Sequence, residues 1–263
     1  MMQGLMLGES RDDEIVSRPR ATTQAGAEVD WGSFWKRIAA GKLRVVESLC
    51  SESHCTLVLE EMLDADATPL SAADTRVLER ILVGESQKAI ALDWHSATST
   101  IATKAIRCFR SFGLVCSSST VPTALVMLVH VSLGRVPSLN GEVTTSHDGR
   151  ISISIRRPDR DLDGFFSAAE RQMIAFLIEG ITQREMAERR NTSPRTIANQ
   201  VGSAYVKLRV SGRIAMIGFL LEKGARLRDV PRHRRPSGTL KRPRLPTPGG
   251  PLPVPGERAR QAR

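Results

Sequence analysis

Apolar residues recur every third or fourth position through most of the chain, so its elements read mainly as helices. Trp31, Phe34, Trp35 and Ile38 share one helical face. Asp30 to Ala40 is therefore predicted as a short amphipathic helix, with Asp30 as N-cap and Gly41 as its stop. Leu43 to Leu49 and Cys55 to Leu59 are rich in Val, Leu and Thr, and Ser51 to His54 lies between them, which predicts a β-hairpin. Residues 70–112 carry the helical pattern again. Thr123 to Leu133 is a further helix, stopped by Gly134 and Pro137. Val143 to Thr145 and Ile151 to Ile155 flank His147-Asp148-Gly149, and Asp-Gly is a strong hairpin signal. Ile151, Ile153 and Ile155 alternate with polar residues, as a half-buried strand does. Pro158 to Gly164 reads as a polar linker, and Phe165 to Arg226 is helical.

The chain also repeats. Shifting it by 96 residues aligns Leu70–Leu114 with Phe166–Val210 without a gap. Identical pairs include Ser71/Ser167, Gly84/Gly180, Gln87/Gln183, Ala91/Ala187, Thr100/Thr196 and Ile101/Ile197. Apolar positions correspond at Val77/Met173, Leu78/Ile174, Ile81/Leu177, Ile90/Met186 and Phe112/Leu208. Caps, turn glycine and apolar rhythm repeat together, which marks a repeated structural unit.

In the second copy, Ser167 with Glu170 forms a capping box. It opens a helix with Met173, Ile174, Phe176 and Leu177 inward, ended by Gly180. Thr182 with Glu185 caps a short second helix with Met186 and Ala187 inward. Asn191-Thr192 is the turn. Ser193 at the N-cap and Pro194 at the first position open a third helix. That helix buries Ile197, Val201, Ala204 and Leu208, and turns Arg195, Thr196, Asn199, Gln200, Ser203 and Lys207 outward. Arg213 to Lys223 forms a fourth helix with Ile214, Ile217, Leu220 and Leu221 inward. Two short helices joined by a tight turn, the second polar and basic on its outer face, describe a helix-turn-helix.

At Phe166, Ser167, Glu170, Met173, Ile174, Gly180, Thr182, Glu185, Met186, Ala187, Ser193, Thr196, Ile197, Lys207, Leu208 and Val210 the chain resembles the LuxR-type helix-turn-helix domain. It departs from the family at Arg190, usually apolar, and at Asn191, often Gly. Ala198 and Gln200 replace the Lys and His common in the third helix, so base preference does not carry over. The resemblance implies a third helix in the major groove and a second helix across the backbone. Arg195, Thr196 and Lys207 would then hold phosphates. Asn199, Gln200 and Ser203 would face base edges, where Asn and Gln pair with adenine. The first copy keeps Leu70, Ser71, Val77, Leu78, Gly84, Ser86, Lys88, Ile90, Ala91, Thr100 and Ile101 but has Ala97-Thr98 in place of the Ser-Pro cap. It is either a second DNA face, at Ser99, Thr100, Thr103, Lys104 and Arg107, or a degenerate structural copy. Two modules in one chain would form a covalent pseudo-dimer with half-sites about 34 Å apart. Alternatively, the Arg213–Lys223 helix joins whole chains into a homodimer, as in family members.

Charge sharpens this picture less than its total suggests. The 263 residues carry 38 Lys/Arg against 28 Asp/Glu, a net charge of +10. Val230 to Arg263 alone holds nine basic residues, one acid and eight of the 14 prolines. It reads as a disordered basic tail that would add salt-sensitive affinity for DNA. Within the body, Gly164 to Arg228 has 11 basic residues against five acids. The inference of a nucleic-acid partner therefore rests on the helix-turn-helix segment rather than on total charge. A hydrophobic fraction of 41 % is ordinary for a globular chain. No stretch is long and apolar enough for a membrane span, and Met1 to Gly8 lacks a secretory pattern.

The remaining constellations are weaker. Cys50, His54 and Cys55 cluster in the first hairpin, but no second ligand pair accompanies them, so buried thiols rather than a metal are expected. Four cysteines fit a reduced, cytoplasmic, nucleoid-associated protein. No Gly-rich phosphate loop or nucleophile–base pair points to an enzyme, and no cofactor is implied. The expected fold is mainly α, α+β overall: two four-helix LuxR-type modules with small β-hairpins before and between them. The expected segments are a poorly ordered 1–28, a helix and hairpin at 29–69, a degenerate module at 70–134, a hairpin and linker at 135–163, the DNA-binding domain at 164–228 and the tail at 229–263. The function expected is sequence-specific transcription regulation through double-stranded DNA, with RNA polymerase as a further partner. A sigma-factor-like protein and a helix-turn-helix adaptor without DNA are the alternatives.

Overall fold

The computed structural model describes residues 22–23, 29–63, 68–115, 120–161 and 166–229. The expectations for the rest of 1–28 and for the tail beyond 229 lie outside the described residues. In chain order the elements are β1 (Thr22–Thr23), α1 (Trp31–Ala39), β2 (Leu43–Cys50), β3 (His54–Glu61), α2 (Ala72–Leu82), α3 (Gln87–Asp93), α4 (Thr98–Ser111) and α5 (Thr123–Ser132). There follow β4 (Gly141–Thr145), β5 (Ile151–Arg156), a 3₁₀ turn (Pro158–Asp161), α6 (Ala168–Glu179), α7 (Gln183–Arg189), α8 (Pro194–Leu208) and α9 (Arg213–Asp229). The fold is mixed α+β.

The two hairpins expected before and between the modules are halves of one antiparallel sheet, ordered β4-β5-β3-β2, with β1 bridging to the outer edge of β4. The joining pair is β3 with β5, which sets Cys55, Leu57 and Leu59 opposite Ile155, Ile153 and Ile151. A lone two-stranded hairpin buries too little to stand in water. Here each hairpin carries one apolar face, and pairing the two makes a single face wide enough to cover. Leu57, Leu59, Ile153 and Ile155 are completely buried.

Helix α5 lies against that face, contacting β3, β5, α1, α2 and α9. Every residue from Thr123 to His130 is buried, so α5 is apolar all round, as a central helix must be. Helix α1 packs on α5 and on β2, with the Asp30 carboxylate accepting the Ser33 backbone N–H at its N-cap. Trp35 Nε1 donates to Glu79 Oε1 at 2.9 Å, tying α1 to α2, and its ring meets Phe112 edge-on. The buried side chains form one continuous core from Trp31 to Leu221. No helix among the described residues is long and apolar enough to cross a membrane.

Among the described residues Asp74, Thr123, His130, Arg157 and Arg213 are buried polar groups, and two of them lie where helices meet. Arg213, at the start of α9, donates to Leu177 O, to Val121 O at 2.6 Å, to Thr123 Oγ1 at 2.8 Å and to Ile178 O at 3.0 Å. It thereby joins the beginnings of α5 and α9 to the end of α6, whose last carbonyls lack partners within the helix. His130 is 2 % exposed, and neither ring nitrogen makes a regular hydrogen bond. Its ring lies against Gly218, where a Cβ would come within 2.5 Å of His130 Cε1. Burial first, then the Arg135 charge, pushes its pKa down to about 4, against a smaller opposing effect of the Leu82 backbone.

One expectation about chemistry is corrected. Cys50 and Cys55 face each other across the β2–β3 pair and form a disulfide rather than two buried thiols. Among the four cysteines, Cys108 is a free buried thiol. The register of β2 and β3, closed by the turn at 51–53, sets Cys50 opposite Cys55 and brings the two Cα atoms to 4.3 Å, at the short limit of what a disulfide spans.

Candidate nucleic-acid interface

The repeat seen in the sequence is a repeat of elements. Shifted by 96 residues, α3 coincides with α7, and α2 and α4 coincide with α6 and α8 to within one residue at their ends. The caps recur as well. Ser71 and Ser86 accept backbone N–H groups at the starts of α2 and α3. Ser167/Glu170 and Thr182/Glu185 make complete capping boxes at α6 and α7. Ser193 caps α8 with Pro194 next to it, whereas Ala97 gives α4 no side-chain cap. The turn before each third helix contains a left-handed residue at the same place, His95 (φ 49°) and Asn191 (φ 48°). Asn tolerates that conformation better than most residues, so Asn191 stands where a glycine would serve.

On α8, Ile197, Val201 and Leu208 are buried and hold the helix against α6 and α7. Arg195, Thr196, Asn199, Gln200, Ser203 and Lys207 are all exposed, at the three- and four-residue intervals that make one stripe. Their engagement differs. The Thr196 hydroxyl meets the Ser193 hydroxyl at 2.9 Å. Arg190 Nη1 donates to Gln200 Oε1 at 2.7 Å. Lys207 Nζ donates to Glu170 Oε1 at 2.5 Å. That Lys207 bond, helped by the Ser167 backbone and hydroxyl, lowers the Glu170 pKa to about 2. The side chains of Arg195, Asn199 and Ser203 make no hydrogen bond or ion pair among the described residues. The unengaged part of the stripe is therefore one cation near the start of α8 followed by two neutral hydrogen-bonding side chains.

The equivalent stripe on α4 is also assembled. Ser99, Thr100, Thr103, Lys104 and Arg107 line one open hollow. Both cations there are paired with one acid, Lys104 with Asp74 Oδ1 and Arg107 with Asp74 Oδ2, each at 3.0 Å. Burial alone would raise the Asp74 pKa. Its hydrogen bonds from Lys104 and Ser71 and the Lys104 and Arg107 charges outweigh burial and leave it lowered.

The hold of Asp74 and Glu170 on the third helices was not foreseen in the sequence, where Glu170 figured only as a capping partner, yet they are equivalent residues of the repeat, each three places after a serine cap and each holding a cation of the third helix. Their shared position was visible in the 96-residue alignment; their reach was not. Val206 was also missed. It is 78 % exposed, and it lies seven residues after Asn199, hence on the same side of α8.

The inward residues of the Arg213–Lys223 helix, through which a homodimer was expected, are turned into the chain itself. Ile214, Met216, Ile217, Leu220 and Leu221 are buried within the chain. α9 packs against α5 and the neighbouring α2, α6 and 3₁₀ turn. No protein-family model, curated protein or solved structure matches this chain.

Proposed function

We propose that the protein is a sequence-specific DNA-binding regulator of transcription that inserts α8 into the major groove. The observation that carries this reading is the exposed stripe on α8, built on the third of three short capped helices. Arg195 and Lys207 supply phosphate contacts at its two ends. Asn199, Gln200 and Ser203 lie between them, where Asn and Gln match the donor and acceptor of an adenine edge. α7 sits behind α8 and reaches the backbone through its first turn, where the Thr182 and Glu185 cap fixes its direction. The LuxR-type resemblance of residues 164–228 supports the same placement, with action on the nucleoid and through RNA polymerase.

A second reading, a helix-turn-helix adaptor that binds protein rather than DNA, is favoured by one feature. Lys207, Lys104 and Arg107 are already held by acids of the same chain. Selection of duplexes from a random pool, repeated on the chain ending at Asp229, separates the two. Specific enrichment that survives loss of the tail, and that Asn199→Ala weakens, supports the regulator. Binding that disappears with the tail would mean that the basic tail was the whole DNA interaction, and would sink the assignment of α8.

A further inference from the structure

The two three-helix units sit in a reciprocal arrangement. Their fourth helices, α5 and α9, pack on each other. The beginning of α5 touches the end of the first helix of the other unit, where the Thr123 hydroxyl donates to Ile178 O at 2.6 Å. The beginning of α9 does the converse. Ser211 Oγ donates to Gly84 O at 3.4 Å, just beyond the end of α2, and Ala215 lies so close to Gly84 that a Cβ there would fall 2.5 Å from Ala215 Cα. Gly84 also has φ +98°, which few other residues adopt.

At the level of elements, exchanging the first unit for the second turns one contact into the other, the start of a fourth helix against the end of the other unit's first, and leaves the α5–α9 contact in place. Reciprocity of this kind is the mark of a two-fold, isologous interface, in which patch i meets patch j and j meets i. A head-to-tail tandem would show only one of the two cross contacts. The packing inside each unit repeats as well, α2 on α5 and α6 on α9.

From this arrangement, which rests on the DNA-binding reading above, we infer that one chain is a complete pair of readers. Helices α4 and α8 are related by an approximate two-fold axis through the α5–α9 contact. A single chain then engages one duplex through two half-sites in opposite orientation. The half-sites differ in sequence, because the two stripes differ. Asn199, Gln200 and Ser203 on α8 correspond to Thr103, Lys104 and Arg107 on α4. Burial of Ile214, Ile217, Leu220 and Leu221 inside the chain fits the same conclusion, since these are the inward residues a second copy would have met.

The test uses the full chain and the duplex pool enriched with it. Expected are one chain per bound duplex by sedimentation, and two dissimilar half-sites of opposite orientation at fixed spacing. Insertion of about five base pairs, half a helical turn, between them should weaken binding about tenfold or more. The exposed substitutions Thr103→Ala and Asn199→Ala should each relax discrimination at a different half-site. Two chains per duplex, a single protected half-site or two half-sites in the same direction would overturn the paired reader and leave the regulator standing. Absence of any enrichment would overturn both.

Discussion

Replacing Arg213 by Met tests whether the guanidinium is what joins the two units. Met keeps most of the apolar stem, so the perturbation is chiefly the loss of the four donated bonds at Leu177 O, Val121 O, Thr123 Oγ1 and Ile178 O. Each charge-assisted bond contributes about 1.5–3 kcal/mol before desolvation of the cation is counted, and that desolvation offsets much of the total. The remaining cost is set by the acceptors left behind. Leu177 O keeps the Gly180 backbone N–H, and Ile178 O keeps the Thr123 hydroxyl. Val121 O loses its Arg213 donor. One abandoned buried carbonyl costs about 1–3 kcal/mol, and losing a cation at the end of α6 adds about 0.3–1 kcal/mol. The expected loss is therefore about 1–4 kcal/mol, read as a lower urea midpoint in far-ultraviolet circular dichroism. Thr123→Val removes a second member of the cluster. The double variant should be less damaging than the sum of the two, with a coupling of about 0.5–3 kcal/mol. Arg213→Met within about 0.5 kcal/mol of the parent protein, or strict additivity with Thr123→Val, would refute the reasoning.

Three other measurements follow from the same geometry. His130 is held neutral in the folded chain and is free to take a proton when unfolded, so its contribution is complete above pH 6.5 and falls as pH drops toward about 4. The loss should reach about 3 kcal/mol, and His130→Leu should flatten unfolding midpoints across that window; an unchanged pH profile would show that the ring is not the buried proton acceptor. Glu170→Gln keeps an acceptor for the Ser167 cap but releases Lys207, and Asp74→Asn weakens the hold on Lys104 and Arg107. Each should tighten DNA binding a few-fold and steepen its salt dependence by about one phosphate contact; unchanged affinity in both would argue that these cations do not reach DNA. Reduction of Cys50–Cys55, which closes a very short loop, should lower stability by at most about 2 kcal/mol, and a far larger drop on adding dithiothreitol would mean that the pair does more than staple the hairpin.

The helices were legible because their signals are local. Caps, stop glycines and a 3.6-residue rhythm lie within one or two turns of the residues they govern, and the 96-residue repeat states the same signals twice. What the sequence left out was long-range. Nothing within residues 51–61 or 151–156 announces that β3 will pair with β5, because both strands show only an apolar face that some partner must cover. Thr123 to Leu133 read correctly as a helix, but its lack of a polar side was the clue to its central place, and that clue names no neighbours. Arg213 looked like a helix-start residue among apolar ones. Its burial follows from the meeting of three helix ends that are 35 residues or more apart in sequence. In the stripe, the outward residues were readable from periodicity. Their acids were not, since Asp74 reaches 30 residues to Lys104 and Glu170 reaches 37 to Lys207.

These acids make the two stripes unequal, and under the DNA-binding reading the inequality has a direction. Asp74 keeps only 12 % of its side chain exposed and holds two cations at once. Releasing them to a phosphate would leave a buried carboxylate without its partners, a costly state. Glu170 holds one cation, with the Lys207 side chain 55 % exposed, so water can replace that contact cheaply. Glu170 also keeps its capping-box bonds to Ser167 when Lys207 leaves. α8 begins with Ser193 and Pro194, whereas α4 begins at an Ala97 that caps nothing. Preorganised helix starts and readily released cations both favour α8. The half-site read by α8 should therefore dominate affinity, and the one read by α4 should add orientation and a smaller increment. Asp74→Asn should narrow that gap from the α4 side, whereas Glu170→Gln should widen it.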